Sequence, residues 1–368
     1  MAAPDAPGTR DQFLGVWVVR HNLNDPASID RVIRFAAAHG FKQMVVQVRG
    51  RGYAYYDSGI VPKAPNITKP DFDPLAYAVH EGHMAGLEVH AWVNVYMLWT
   101  APTDPENSHH VLFTHQNWVD ADFRGIPNTQ ADWAAYDTNL DRGVYLAPTN
   151  PAVNAYLFRV LQEIMDRYEI DGIHLDYIRY QGAQFGYNSA GRNLFHYRYG
   201  VDPLVIGDNS TNPEFPWTDP MYTLYTQVWN RYRCNQVTAL VKQVHRYAQS
   251  KGIQLSAAVK PDPQQAVSLY FQNWARWVDE DLVDFVIPMN YISDPKVFEG
   301  NTEKIERLQA PEKVVMGIAV YNQSDSEAVA KLKGLQGESF RGICLFSYDT
   351  FSGHPDYIRH IKAYLDLR

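Results

Sequence analysis

The chain has 368 residues, 46% of them apolar, 13% aromatic and 20% charged, with a net charge of -8. That balance is globular with an aromatic excess, and the length suits two average domains or one large α/β barrel. Lys and Arg form no run that would serve nucleic acid or a polybasic membrane patch, and no apolar stretch approaches the roughly 20 residues that span a bilayer.

The opening MAAPDAPGTRD lacks the hydrophobic core of a secretion signal, which taken literally means no export. An Ala- and Pro-rich polar start is also what remains when such a signal has been removed and a starter Met added. Residues 1–12 are expected to form a flexible segment ahead of one domain over 13–368. Apolar runs rich in β-branched and aromatic residues then recur. They are FLGVWVVR from Phe13, QMVVQVRG from Gln43, LEVHAWVNVY from Leu87 and GIHLDYIRY from Gly172. IQLSAAVKP from Ile253, DFVIPMNY from Asp284, VVMGIAVY from Val314 and GICLFSYD from Gly342 follow. Most are nearly continuous, the pattern of parallel strands covered on both faces.

Helical patterns fill the gaps. From Pro151 to Tyr168, Val153, Tyr156, Leu157, Val160, Leu161, Ile164 and Met165 paint one stripe of a helix, with Asn150 placed to cap it and Pro151 at its first position. A second helix is predicted from about Pro220 to Ser250, with Gly252 ending it. Eight β-then-α units predict an α/β fold, a single (β/α)8 barrel of the TIM type. The rival is an open doubly wound sheet. No Gly-rich phosphate fingerprint follows the first strand, and GRG at Gly50 to Gly52 is too short to supply one. Cys234 and Cys344 fall in segments that read as helix and strand, so two buried free thiols are expected rather than a disulfide.

Two connections, about Met97 to Pro148 and about Gln181 to Trp217, are far longer than usual. They follow the third and fourth strands and so fall on the catalytic face of a barrel. They carry Trp99, Trp118, Trp133, Tyr136 and Tyr145, then Tyr187, Phe195, Tyr197, Tyr199 and Trp217. Such rings either pack the loops down or wall a cleft in which flat faces stack on sugar rings.

Barrel chemistry is built from the carboxyl ends of the strands. In chain order those ends offer Arg20 and His21; Gln47, Arg49 and Arg51; His90, Trp92 and Asn94; and His174, Asp176 and Arg179. Then come Lys260 and Asp262; Asn290 and Tyr291; Tyr321 and Asn322; and Ser347, Tyr348 and Asp349. Alternation puts His174 and Asp176 on the inward face and Ile173, Leu175 and Tyr177 on the outward one. Asp176 then reaches the upper rim beside Arg179, whereas Asp171 belongs to the turn beneath the strand.

Carboxylates, amides, imidazoles and guanidinium groups converging on one cleft suit a polyhydroxylated ligand, and glycoside hydrolysis needs two carboxylates. One attacks or activates water, and the other gives a proton to the leaving oxygen. Asp176 is the first. Asp262 or Asp349 is the second, with Asp120, Asp122, Asp132 and Asp137 in the long loops as further acids. Lys260 beside Asp262 favours its ionised form, which weakens it as an acid. A metal site is the other use of His21, His90, His174 and Asp176, but no metal-binding His spacing occurs; His109 and His110 read as surface residues.

At this point the chain resembles the glycosyl-hydrolase-like 10 group of bacterial barrels. The resemblance rests on ordered motifs: VQVRGRGYAYYDS from Val46, EVHAWVNVYMLW from Glu88, YEIDGIHLDYIRY from Tyr168, LSAAVKPDP from Leu255, VDFVIPMNY from Val283 and GICLFSYD from Gly342. It implies a (β/α)8 fold, export to the periplasm or beyond, and hydrolysis of a glycosidic bond, with peptidoglycan glycan strands among the family's substrates. It makes Asp176 the principal catalytic carboxylate and places Arg49, His90, Trp92, Asn94, Asn290 and Tyr348 around the cleft. Relatives often carry Asp after the GRG turn, where this chain has Tyr53.

The expectation is a secreted or periplasmic retaining glycosidase acting on a carbohydrate, with no cofactor, metal, nucleic-acid partner or transmembrane segment. Asp176 is its nucleophile and Asp262 or Asp349 its acid or helper. His174, Arg179 and Arg49 orient Asp176, and Arg20, Lys260, Tyr291 and Tyr321 join the substrate-binding set. The alternatives are a carbohydrate-binding barrel without catalysis and a metal-dependent polysaccharide deacetylase.

Overall fold

The structure, a computed structural model, describes residues 12–131, 142–207, 219–336 and 338–365. Eight parallel strands form its centre. They are β1 (Phe13–Val18), β2 (Gln43–Gly50), β3 (Glu88–Asn94) and β4 (Gly172–Asp176), then β5 (Gln254–Val259), β6 (Phe285–Pro288), β7 (Val315–Ala319) and β8 (Gly342–Phe346). Ladders join them in the spatial order β7-β8-β1-β2-β3-β4-β5-β6. The ring closes between β6 and β7 through the bridges Val286–Val314 and Met289–Gly317. Gly317 permits that approach, since a Cβ there would lie 2.6 Å from the carbonyl oxygen of Pro288. The predicted barrel is therefore the observed fold.

The surrounding helices share a start signal. Asp25-Pro26, Asp73-Pro74, Asn150-Pro151, Asp262-Pro263 and Asp294-Pro295 each place a side-chain oxygen on a first-turn amide and Pro at the first position. The helix predicted from Pro151 runs Pro151–Arg167 and buries its expected stripe. The second runs Asp219–Lys251. Asp171 clips the bottom of the barrel, accepting from the Val89 amide at 2.7 Å and from His83 at 2.9 Å. Both cysteines are buried free thiols.

Strand alternation produces two separate packings. Outward residues such as Val46, Val89, Ile173, Leu175 and Leu255 join the helices in one large core. Inward residues fill the barrel: Phe13, Trp17, Val45, Trp92, Ala258, Phe285, Ile287, Val315 and Cys344. Polar inward groups, His90 and His174 among them, sit within this packing.

Candidate active site

The barrel interior is layered. At the bottom His90 lies among Phe13 and Phe285, with ring centroids 5.7 and 5.9 Å away. It fits because its neighbour in the ladder is Gly172, where a Cβ would come within 2.1 Å of His90 Nδ1. One layer up, His174 Nδ1 meets Ser256 Oγ at 2.8 Å, and Trp17 packs edge-on at 4.7 Å. Burial, followed by the charge of His90, holds His174 well below the usual histidine pKa, so it is a neutral imidazole. Trp17 and Trp92 cross at 85° with centroids 4.6 Å apart. These two rings are the floor of a cleft of about 890 Å³ at the carboxyl ends of the strands.

Asp176 stands on that floor, 4% exposed. Trp92 Nε1 donates to its Oδ2 at 3.1 Å, and the Tyr177 amide donates to its Oδ1 at 2.6 Å. Arg179 Nη1 lies 3.6 Å from the same oxygen. Each of these neighbours offers a hydrogen or positive charge, so the carboxylate is oriented from several sides. Alternation places Tyr177 outward, and the structure corrects this. Its φ of +50° ends the strand, and the ring turns into the cleft, where the Arg179 guanidinium stacks on it at 4.4 Å. A non-glycine residue in this conformation costs about 1–3 kcal/mol and persists only where its surroundings fix it, as they do here.

Asp262 also borders the cleft. Its Oδ1 accepts from the amides of Gln264 and Gln265 at 2.9 and 3.0 Å, and Lys304 Nζ lies 2.6 Å from its Oδ2. Burial works to raise its pKa, but the Lys304 ammonium and the amides outweigh burial and hold it below the usual aspartate value. It is a helix cap, and its ionised form, which the sequence assigns to Lys260, is held by Lys304 and those amides. Lys260 lies instead on the ring of Tyr270, 4.5 Å from its centroid.

Of the other predicted residues, Arg20, Trp92, Asn94, Arg179, Lys260, Tyr291 and Tyr321 border the same cleft as Asp176. Arg20 Nη1 donates to Gln47 Oε1 at 2.9 Å, and Gln47 Nε2 donates to Asn94 Oδ1 at 3.0 Å, so β1, β2 and β3 are tied at the rim. The Tyr291 hydroxyl is buried with no partner. Burial, then the nearby Cys344 and Asp176, hold its pKa well above the ordinary tyrosine value, which keeps it a neutral donor.

Six predicted residues are placed elsewhere. His90 and His174 lie beneath the floor, packed among Phe13, Phe285 and Trp17 and outside the cleft lining. Arg49 is fully buried, donating to the carbonyls of Asn94 and Val95, so it braces the top of β3. Asn290 is turned to the carbonyl of Phe298 and to Asn301, the latter a cleft residue that it props. Tyr348 packs on the outside against Phe35. Asp349 borders a neighbouring groove and pairs with His21 Nε2 at 2.7 Å and Asn22 Nδ2 at 2.9 Å. Burial raises its pKa, yet those bonds bring it below the ordinary value.

The cleft's aromatic walls are also not the predicted ones. Tyr145, Tyr187 and Phe195 are buried within the loops, Trp118 packs against Tyr156, and Tyr197 is fully out in solvent. Trp133, Tyr136, Trp217, Asp132 and Asp137 lie outside the described residues. Tyr53 is buried beside Trp99 and His110 and does not border the cleft. The walls come from Trp17, Trp92, Tyr177, Tyr270, Tyr291, Tyr321 and Phe346. Inward alternation along β1 would have found Trp17. Arg142, Tyr270 and Lys304 carry no local signal. Asp120 is protonated at neutral pH, since burial lifts it to about 8, but it does not border the cleft. Among the described residues no group of three or more His, Cys, Asp or Glu converges as a metal site.

The family model described as Glycosyl hydrolase-like 10 matches residues 12–333. Glycosyl hydrolase YngK of Bacillus subtilis (strain 168) is 24% identical over 275 residues, covering 69% of this chain and 46% of the relative. Glycosyl hydrolase DigH of Escherichia coli (strain K12) is 24% identical over 302 residues, covering 73% of this chain and 61% of DigH. The chain thus spans about half to three-fifths of the length of these curated relatives. An S-layer-related protein of Niallia circulans is 20% identical over 269 residues, 67% of this chain and 16% of that protein. In fold, the chain is similar to the glycoside hydrolase domain of PgaB from Bordetella bronchiseptica, with a TM-score of 0.66, 12% identity and coverage of 96% and 98% of the two chains. It is also similar to the catalytic domain of β-amylase from Paenibacillus polymyxa, with a TM-score of 0.61, 13% identity and coverage of 95% and 96%.

Proposed function

This chain belongs to the Glycosyl hydrolase-like 10 family, and from that premise we propose that it hydrolyses a glycosidic bond in a cell-envelope or other polysaccharide, with Asp176 as its principal carboxylate. The observation that carries this is the anchoring of Asp176 on the aromatic floor by Trp92, the Tyr177 amide and Arg179. A carboxylate so oriented suits attack on an anomeric carbon, and the route proposed is retaining, through a covalent glycosyl-enzyme. Tyr177, Tyr270 and Tyr321, the more exposed rings bordering the cleft, offer flat faces to sugar rings above the Trp17–Trp92 floor.

Asp262 begins as an anion. It suits hydroxyl binding and stabilisation of the positive charge that develops in the transition state, and it can donate a proton only if substrate displaces Lys304. Asp349, expected from the sequence as the alternative acid or helper, pairs with His21 at a neighbouring groove and does not border this cleft. Five cations border the cleft (Arg20, Arg51, Arg142, Arg179 and Lys260) against two carboxylates, Asp176 and Asp262. In a chain of net charge -8 this local excess favours a glycan that carries acidic groups. The similarity to an S-layer-related protein supports a role outside the cytoplasm; among the described residues no helix is long and apolar enough to cross a membrane.

The test is hydrolysis of a panel of neutral and acidic cell-wall, plant and algal glycans, repeated for Asp176→Ala, Asp262→Ala and Asp349→Ala with and without azide. Asp176→Ala should lose several orders of magnitude of turnover, and azide should then give a glycosyl azide of inverted configuration. Rescue with retained configuration in one of the other variants names the proton donor. Ligand binding without turnover on any glycan would favour a non-catalytic binding barrel. Turnover that survives Asp176→Ala would remove the assignment.

A further inference from the structure

The cations around the cleft are unevenly partnered. Arg179 lies beside Asp176, Lys304 on Asp262, and Lys260 on the ring of Tyr270. Arg20, Arg51 and Arg142 border the same cleft, and among the described residues none of these three pairs with a carboxylate.

All three lie on one side of it. Arg20 follows β1, Arg51 follows β2, and Arg142 belongs to the connection after β3. Gly50 lets Arg20 approach the turn that carries Arg51, since a Cβ there would lie 2.9 Å from Arg20 Cδ. Thr100 Oγ1 accepts from Arg51 Nε at 2.9 Å, and Gly143, next to Arg142, packs on the same threonine, where a Cβ would lie 3.0 Å from Thr100 Cγ2. Arg20 senses its neighbour. Burial, with the Arg51 charge adding to it, holds Arg20 below the usual arginine pKa, against the pull of Tyr55.

The backbone at Arg51 is a separate observation. After Gly50 the chain turns back into the short antiparallel strand Tyr53–Ala54, through Arg51 and Gly52 with φ of +52° and +69°. Two-residue turns of this kind favour Gly, Asn or Asp at both positions, because larger side chains are strained there. Strained residues of this sort persist where their surroundings fix them, and they cluster at ligand clamps. Arg51 is fixed by its bond to Thr100, and the two terminal nitrogens of its fork have no partner among the described residues.

The chemistry names the ligand class. Guanidinium groups gathered without a carboxylate repel one another, and an anion between them reverses the sign of that interaction. The planar fork matches two oxygens of a carboxylate or sulfate, whereas a neutral hydroxyl leaves the charges uncompensated. We infer that Arg20, Arg51 and Arg142 form an oxyanion subsite of the cleft, which selects a carboxylate or sulfate group carried by a sugar ring. The inference rests on the cleft being a carbohydrate site and names the group that the site selects. Asp176 takes no part in that selection.

The experiment uses the full chain and monosaccharides, which carry no glycosidic bond. Glucuronic acid, galacturonic acid and glucose 6-sulfate are each titrated against glucose and galactose at low ionic strength, and binding is followed by calorimetry and saturation-transfer NMR. At least one acidic sugar should bind about tenfold or more tightly than its neutral counterpart, the effect of one charge-assisted hydrogen bond. Comparison of the uronic acids with the sulfate ester identifies the anion. Arg51→Gly removes the fork and keeps the turn, because glycine adopts positive φ freely. That variant and Arg20→Gln should each reduce the preference for the acidic sugar about tenfold. Equal binding of acidic and neutral sugars overturns the inference and leaves the carbohydrate site standing. A preference that survives both substitutions overturns it as well, by placing the anion elsewhere. So does the absence of binding by every sugar, in which case turnover of a neutral glycan would show that the hydrolytic reading survives alone.

Discussion

Asp120 lies 1% exposed in the connection after β3, with Oδ1 accepting from the Ala121 amide at 2.8 Å and Oδ2 without a partner. Burial lifts its pKa from 3.8 to about 8, against the opposing pull of that amide and of Arg233. Between those two values the folded chain keeps a proton that the unfolded chain has lost. The stability this contributes is complete below about pH 4 and is lost as pH rises through about 8. Each pH unit in that window costs about 1.4 kcal/mol, so the four or so units give a ceiling of roughly 5–6 kcal/mol. Asp120→Asn keeps the Oδ1 acceptor and cannot ionise. Urea unfolding at about pH 5, 7 and 9 should show wild-type stability falling steeply and the variant falling much less, with the denaturant slope unchanged in both. Equal pH dependence in the two proteins would refute the argument, because the proton would then belong to another group. The backbone of the same residue ties the loop together, its amide donating to Tyr145 and its carbonyl accepting from Asn128.

Other changes probe the floor and the barrel beneath it. Trp92→Phe keeps the ring and removes the donor to Asp176; kcat should fall about tenfold, equivalent to about 1.4 kcal/mol, with KM little changed, and an unchanged kcat would separate the indole from the reaction. Lys304→Met leaves burial of Asp262 less opposed, so its pKa rises and the acidic limb of the kcat/KM profile, where Asp262 must be ionised, moves to higher pH. A stationary limb would take Asp262 out of the essential groups. Gly172→Ala drives a methyl group to within 2.1 Å of His90 Nδ1 and should destabilise the chain by about 1–3 kcal/mol. His90→Ala in the same chain should recover most of that loss, and a double variant showing no recovery would deny the contact.

The candidate site was legible only where a residue's neighbours lie on its own strand. Alternation along Gly172–Asp176 put His174 and Asp176 inside and Ile173 and Leu175 outside, and the structure agrees. It failed at the next residue, because the left-handed backbone of Tyr177 resets the alternation. Asp262 carried a signal that was available and unused. Its Asp-Pro pair repeats the helix start found at Asp25, Asp73 and Asp294, and it reads as a cap before it reads as a catalyst. His90 and Arg49 looked like site residues because polar groups inside a strand invite function. Height within the barrel decides whether such a group meets ligand or packing, and height depends on how the strands are staggered.

Sequence alone therefore determined the eight strands, their inward and outward faces and the helices between them, since each follows from period, propensity and local hydrogen bonding, and it put Asp176 on the inward face of β4. Tertiary structure alone decided which polar residues reach the cleft, that Lys304 rather than Lys260 neutralises Asp262, and that Tyr145, Tyr187 and Phe195 of the loops are buried while the floor is Trp17 against Trp92. Those outcomes depend on contacts between residues up to hundreds of positions apart. Close packing selects such contacts only when the ring of strands has closed.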